Sequence, residues 1–193
     1  MKRFTLLIIL LAGLVCFGGT AMAETPKRGG TLQVAILQDM WTMDPINIQT
    51  TTGHRIVHNA GMGECLYDFD YAKGVFVPRL ATALPTITDG GKVYTIPIRK
   101  GVKFHDGTQY DAHAAAYAIN RILDPANKSY ILKKYKLVEK LEATDDYTLK
   151  ITLKTPDNAF MVKLATRDVI AVSKAAVEKY GKDFGTKAFV GTG

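Results

Sequence analysis

Cysteine is scarce in this chain of 193 residues, and the sequence patterns of common hydrolases are missing. There is no Gly-x-Ser-x-Gly, which would place a nucleophilic serine, and no His-Glu-x-x-His, which would hold a catalytic zinc ion. Residues 61–66 lack the third glycine of a dinucleotide-binding loop, and residues 91–93 lack the spacing of a P-loop. The sequence therefore gives no support for a serine or zinc hydrolase, or for either of these nucleotide-binding loops.

The chain also lacks an apolar run of about 20 residues, the length that a membrane-spanning helix needs. Its longest run, residues 4–17, follows two basic residues and is followed by small residues up to Ala23. This order is typical of a secretory signal peptide, and we expect cleavage after Ala23. A lipoprotein signal ending at Cys16 is the alternative, but residues 13–15 match poorly the small-residue box that lipidation requires.

Cleavage would lower the net charge from +7 to +5, because two of the 25 basic residues and none of the 18 acidic residues precede the cut. It would also remove Cys16, so that Cys65 could form no internal disulfide and is expected to be a buried, unreactive thiol. Among the remaining basic residues, the only cluster consists of Lys133, Lys134 and Lys136. We expect no nucleic-acid partner, because an exported protein meets none and the cluster is more typical of a solvated surface.

Alternating apolar residues predict strands, listed by residue number as 31–37, 94–99, 137–143, 147–154 and 168–172. Helical spacing with suitable capping residues predicts helices from Thr52 to near Tyr67, from Asp111 to Asp124, after Asp157, and from Ser173 to Gly181. Pro97 has no N–H to donate, so we expect an edge position or a bulge where it lies. Residues 38–53 form a long irregular loop that holds Trp41, and such loops are often functional.

The segment 94–108 is the most distinctive, with the sequence Tyr-Thr-Ile-Pro-Ile-Arg-Lys-Gly-Val-Lys-Phe-His-Asp-Gly-Thr. It resembles the "YTF-LR-GVKFHDG" signature of the family 5 extracellular solute-binding proteins, the peptide and nickel binders of bacterial ABC importers. Six further segments resemble the same family in the same order: residues 29–32, 43–45, 63–66, 78–81, 145–149 and 191–193. The chain departs from the family pattern at Pro97, Gln109 and His113.

The resemblance implies a mixed α/β (α+β) fold. The chain would form the N-terminal part of a two-lobe, type II periplasmic-binding-protein-like clamshell with an extra α+β subdomain. We expect a signal peptide at 1–23, the first segment of lobe I at 24–64, the extra subdomain at 65–185 and the return to lobe I from 186 to 193. Because no helix or strand closes the C-terminal end, we expect the chain to be a fragment. Hinge closure of the two lobes would bury the ligand.

By the same resemblance, the protein is expected to be a periplasmic, monomeric, non-enzymatic binder that captures di- or oligopeptides and delivers them to the membrane permease of an ABC transporter. No cofactor is expected. Nickel complexes or oligosaccharides are the alternative ligands within the family. An exported hydrolase and a structural or adhesion module are the alternatives from other functional classes.

The resemblance also places the ligand-binding residues in a plain-looking loop. In peptide-binding relatives the loop after the "LDP" turn pairs its backbone with the extended ligand, as an added strand would. By position this loop contains Asn47, Ile48, Gln49, Thr50 and Thr51. Trp41 packs either on the ligand or on the core of the lobe, and the sequence does not favour one over the other.

Two histidine patterns in the sequence have structural explanations. His54 and His58 are four residues apart and would share one face of a helix, but no third ligand accompanies them, so no metal site is expected. His105 and Asp106 are adjacent in a glycine-containing turn. This setting favours hydrogen bonding within the turn over acid–base chemistry.

Overall fold

The computed structural model describes residues 29–31, 33, 35, 39–59 and 61–193. The predicted signal peptide and most of the predicted strand 31–37 lie outside these residues. Residues 1–35 and 36–193 form two units, and every element below belongs to the second. That unit is continuous across the proposed boundaries at 64/65 and 185/186, which therefore stay predictions. None of the helices in the described part has the length and apolar character needed to cross a bilayer.

The described elements alternate short helices with antiparallel strands. In chain order they are α1 (Thr51–Asn59), β1 (Tyr67–Asp70), β2 (Val75–Pro78), β3 (Thr86–Thr88), β4 (Val93–Pro97), α2 (Ala112–Leu123), α3 (Leu132–Tyr135), β5 (Val138–Asp145), β6 (Thr148–Leu153), α4 (Phe160–Leu164) and α5 (Lys174–Tyr180). Strands β1 and β2 form a hairpin, and the other four form an antiparallel sheet in the order β3-β4-β6-β5.

The four-stranded sheet buries one face. Tyr94 and Ile96 of β4 lie opposite Ile151 and Leu149 of β6, and all four side chains are buried. Helix α2 packs against β5 and β6. The two-residue alternation predicted for residues 94–99 and 147–154 is therefore confirmed, because an antiparallel sheet with one covered face places every second side chain in the core.

Pro97 does not lie on an edge strand or at a bulge, so that expectation was wrong. Strand β4 is an inner strand, and its pairing with β6 runs in unbroken register through Pro97. On the other side, β3 pairs only with residues 93–95, and the Pro97 carbonyl accepts a hydrogen bond from the Thr82 N–H at 2.9 Å. The missing proline N–H faces this same side, beyond the end of β3, so no bond of the sheet is lost.

Several helix boundaries follow their predicted caps. Asp111 Oδ1 accepts a hydrogen bond from the Ala114 N–H at 2.8 Å, and α2 ends before Asp124, which precedes a proline. Ser173 Oγ accepts one from the Ala176 N–H at 3.2 Å, and α5 ends at Tyr180, just before Gly181, whose φ is +50°.

Other boundaries differ from the prediction. The cap of the first described helix lies two residues earlier than predicted, at Thr50 instead of Thr52: Thr50 Oγ1 accepts a hydrogen bond from the Gly53 N–H at 3.0 Å, and the helix begins at Thr51. It ends at Asn59, since the chain turns at Gly61 with a φ of +71° and then enters β1, which the sequence did not predict. The predicted strand 168–172 is a short 3-10 turn, Arg167–Val169, followed by buried irregular chain.

Candidate functional site

Residues 43–50 form a loop in which residues 44–46, including Pro45, are buried, and the side chains from Ile46 to Gln49 alternate between the interior and the solvent. Asp44, Ile46 and Ile48 are buried, whereas Asn47 and Gln49 are exposed. The Asp44 carbonyl accepts hydrogen bonds from the N–H groups of Asn47, at 2.9 Å, and Ile48, at 3.1 Å. This turn fixes the start of the loop, so that its odd-numbered residues from Asn47 onward face outward.

A buried ion pair holds the first turn of the loop. Arg121, in the last turn of α2, donates from Nη1 to Asp44 Oδ1 at 2.9 Å and from Nη2 to Asp44 Oδ2 at 2.7 Å. Both side chains are almost fully buried. Two parallel charge-assisted hydrogen bonds fix orientation as well as distance. The guanidinium also lies over the ring of Phe184, 5.6 Å from its centroid.

Three further contacts reach the loop backbone from distant parts of the chain. Ser129 Oγ donates to the Ile46 carbonyl at 3.4 Å, and the Tyr130 hydroxyl donates to the Ile48 carbonyl. The Met43 N–H donates to the Gly185 carbonyl at 2.7 Å. Gly185 is required here, because a Cβ at that position would lie 2.4 Å from the Asp44 backbone nitrogen. The loop is therefore fixed by residues far away in the sequence.

An open cleft of about 600 Å³ lies beside the loop. One wall is the loop with Trp41, and the other is formed by the segments that follow α2 and α5. Its polar and charged lining includes Thr42, Asp44, Asn47, Gln49, Arg121, Asn127, Lys182 and Thr186. The volume falls within the range of about 300–1,000 Å³ that is typical of small-molecule sites.

The structure places the predicted ligand-binding residues in different surroundings. Trp41, Asn47 and Gln49 line the cleft, and the Trp41 side chain is 67% exposed. Ile48 is buried in the core, and Thr50 caps α1. Thr51 is the first residue of α1, and its side chain lies outside the described part.

The loop has main-chain groups that the rest of the described chain does not use. The N–H and C=O groups of Gln49 and the C=O group of Asn47 form no hydrogen bond within the described residues. Exposed main-chain donors and acceptors beside a cleft can pair with the main chain of an extended ligand. The sequence did not predict Arg121, Ser129 or Tyr130 as parts of this site.

The turn of the family signature, residues 104–108, has a different role. Asp106 Oδ1 accepts hydrogen bonds from the Thr108 N–H at 3.0 Å and from Thr108 Oγ1 at 2.6 Å, and Oδ2 accepts one from Ser173 Oγ at 2.5 Å. The His105 N–H donates to the Gly191 carbonyl at 2.9 Å. Partial burial acts to raise the pKa of Asp106, but the bonds from Ser173 and Thr108 together hold it below its usual range. The predicted hydrogen bonding within the turn is confirmed.

Cys65 is fully buried, its Sγ donates to the Thr166 carbonyl at 3.2 Å, and burial raises the pKa of its thiol. Within the described residues, no group of three or more His, Cys, Asp or Glu side chains could hold a metal ion. His54 and His58 both lie in α1, but the side chain of His54 is outside the described part, so the absence of a metal site there stays a prediction.

Comparisons with known proteins identify the family and the fold of the chain. The sequence model of the bacterial extracellular solute-binding proteins, family 5 Middle, matches residues 75–193. The glutathione-binding protein GsiB of Escherichia coli K12 is 36% identical over 184 residues, which are 94% of this chain and 35% of GsiB. The chain thus spans about a third of the length of the curated relatives that it matches.

Two solved structures superpose well. The pheromone receptor PrgZ, whose structure shows its mode of peptide binding, has a TM-score of 0.73 and 29% identity, over 79% of this chain and 33% of PrgZ. The binding protein AgaA from A. tumefaciens R10, solved with agropinic acid, has a TM-score of 0.70 and 29% identity, over 79% of this chain and 30% of AgaA. The chain belongs to the family 5 bacterial extracellular solute-binding proteins, and its mixed α/β fold is part of the type II periplasmic-binding-protein fold.

Proposed function

We propose that the protein containing this chain is an exported solute-binding protein that captures di- or oligopeptides in the periplasm and delivers them, chemically unchanged, to the membrane permease of an ABC transporter. The observation that carries the proposal is the 43–50 loop beside its cleft. Its residues Asp44, Ile46 and Ile48 are buried, and within the described residues the N–H and C=O groups of Gln49 and the C=O group of Asn47 form no hydrogen bond. Family membership and the peptide-binding relatives support the same role.

Main-chain pairing accounts for binding of peptides with varied side chains. An extended peptide offers an N–H and a C=O group at each residue, and an exposed loop with the same groups can pair with it as a neighbouring strand would. Because the backbone is common to all peptides, this contact adds affinity without selecting for sequence. The side chains of Trp41, Asn47 and Gln49 would then contact the ligand above this backbone.

The cleft also has the size and charge for a short peptide. Arg121 is neutralised by Asp44, so Lys182 contributes the remaining positive charge among the lining residues. A carboxylate of the ligand would complement this ammonium group. Glutathione, a tripeptide with two carboxylates, is a specific candidate because GsiB is described as a glutathione-binding protein.

The remaining parts of the proposal follow from the family. The ligand would be enclosed when a second lobe closes over the cleft, and closure would create the surface that the permease recognises. We propose signal-peptide cleavage after Ala23, a monomeric state, and the segments 24–64, 65–185 and 186–193 as the first part of lobe I, the extra subdomain and the return to lobe I. No catalytic step is assigned to the protein.

Calorimetry on the full-length protein tests the proposal. Trialanine, reduced glutathione and Ni²⁺ are titrated separately, and the ligand is recovered and weighed by mass spectrometry after incubation. We expect saturable binding of at least one peptide and recovery of that peptide intact. Trialanine with its amide nitrogens methylated is the matched control and should bind at least about tenfold more weakly, because it cannot donate main-chain hydrogen bonds. Binding of Ni²⁺ alone, or cleavage of the peptide, contradicts the proposal.

A further inference from the structure

We propose that Arg121, Ser129 and Tyr130 are positioning residues for ligand binding: together they hold alternate residues of the 43–50 loop so that Asn47 and Gln49 face the ligand. This inference rests on the proposed function, since it assigns a role toward the ligand to residues that do not need to touch it. All three lie at or just beyond the end of α2, 77 to 83 residues away from the loop positions that they contact.

The three contacts fall on alternate residues of the loop. Arg121 binds the side chain of Asp44, Ser129 binds the carbonyl of Ile46, and Tyr130 binds the carbonyl of Ile48. Residues 45–47 form a turn in which the N–H groups of Asn47 and Ile48 donate to the Asp44 carbonyl, and Ile46 and Ile48 are buried on either side of the exposed Asn47. Contacts that hold residues 44, 46 and 48 therefore fix which side of the loop residues 47 and 49 occupy.

Arg121 is itself held in place, so it acts as a fixed point. Its guanidinium lies between Asp44 and the ring of Phe184. The side-chain amide of Asn127 donates to the Arg121 carbonyl at 3.0 Å, which ties the end of α2 to the 3-10 turn that follows it. The segment carrying Ser129 and Tyr130 comes directly after this turn. Residues 121–130 are thus one continuous segment that contacts the loop at residues 44, 46 and 48.

A substitution at Tyr130 distinguishes a role in positioning the loop from a role in the stability of the whole fold. Its side chain is 43% exposed, so removal of its hydroxyl leaves little buried surface changed. Its bond ends on the carbonyl of Ile48, which lies between Asn47 and Gln49, two of the residues that line the cleft. Loss of this bond should loosen the rim of the cleft without unfolding the core.

The test compares Tyr130→Phe with Tyr71→Phe in the full-length protein. Tyr71 lies in the turn between β1 and β2 and is 88% exposed, so the second variant removes the same atom away from the loop. Trialanine and reduced glutathione serve as probes. We expect Tyr130→Phe to raise Kd about three- to tenfold and to speed hydrogen exchange in residues 46–50, with the melting temperature changed by less than about 3 °C. Tyr71→Phe should leave all three quantities unchanged.

Two outcomes overturn the inference: unchanged exchange in residues 46–50 of Tyr130→Phe, or faster exchange with an unchanged Kd. If the wild-type protein binds neither probe, the proposed function fails, whereas the exchange measurement still decides whether Tyr130 holds the loop. Arg121→Lys is the second variant. It keeps the positive charge but loses the two parallel hydrogen bonds, and we expect it to weaken binding at least as much as Tyr130→Phe does. Wild-type affinity in Arg121→Lys would contradict the role given to Arg121.

Discussion

The signature turn (residues 104–108) and the 43–50 loop are both irregular segments tied to distant parts of the chain, and they use their polar groups in opposite ways. In the turn, both carboxylate oxygens of Asp106 accept hydrogen bonds, and the His105 N–H donates to Gly191. In the loop, the contacts from three distant side chains end on residues 44, 46 and 48, and the main-chain groups of Gln49 form no hydrogen bond within the described residues.

This difference separates the residues that build the fold from those that are available to a ligand. Asp106 also orients the Ser173 hydroxyl, whose oxygen caps α5, so the turn connects the sheet region to the C-terminal helix. The polar groups of the motif that identifies the family thus form hydrogen bonds within the chain and stabilise its fold. The loop, whose sequence is unremarkable, lines the cleft.

The largest effect is expected in the strand of the signature segment. Ile96→Ala removes a fully buried side chain of β4 and should lower the free energy of unfolding by about 2–5 kcal/mol, since it leaves a cavity in the core. Ile87→Ala, in the neighbouring strand β3, is the matched control, because Ile87 is 46% exposed and should lose less than about 1 kcal/mol. Urea unfolding followed by circular dichroism measures both.

Ligand affinity of the folded protein should not change in either isoleucine variant. A clear loss of peptide affinity in Ile96→Ala at low urea would contradict the assignment of folding to the signature segment and of ligand binding to the loop. It would mean that the sheet sets the shape of the cleft.

A medium effect is expected at Asp106. Asp106→Asn should cost about 1 kcal/mol at pH 7, because an amide nitrogen cannot accept the Ser173 hydrogen bond. The folded protein holds the pKa of Asp106 below its usual range, so the stabilisation is present above the unfolded pKa of about 4 and is lost as the pH falls through the folded value. Unfolding midpoints of wild type and variant should therefore differ at pH 7 and converge below about pH 4.

Peptide affinity at pH 7 is the control for this substitution and should match that of the wild type. A difference in stability that is the same at pH 7 and pH 3 would show that the ionised carboxylate of Asp106 does not stabilise the turn.

Local sequence patterns were sufficient to predict the elements that are determined by residues close together in the sequence. The alternation of Ile96 with its neighbours, and the caps Asp111 and Ser173, depend on residues within one strand or one turn of helix, and each was predicted correctly. Pro97 was misplaced because the relevant fact, that β3 ends before it, depends on another strand. The prediction of a strand at 168–172 was wrong because buried irregular chain and a buried strand have the same apolar composition, and only tertiary structure distinguishes them.

The site was predicted less completely than the fold. The resemblance placed residues 47–51 in the ligand site, but it did not indicate that Ile48 is buried or that Thr50 caps a helix. Arg121 gave no signal, because a basic residue in the last turn of a helix is ordinary and its partner Asp44 lies 77 residues away. Pairings of this kind depend on tertiary structure.

The smallest effect on stability, and the sharpest test of the comparison, is expected at Gln49. Gln49→Ala removes an exposed side chain but keeps the main-chain N–H and C=O groups, so the free energy of unfolding should change by less than about 0.5 kcal/mol. If the ligand pairs with the backbone, Kd for trialanine should rise less than about threefold by calorimetry, while methylation of the amide nitrogens of the peptide still weakens binding strongly. A tenfold or larger rise in Kd for Gln49→Ala would instead assign recognition to the Gln49 side chain, because the variant leaves every main-chain group of the loop in place.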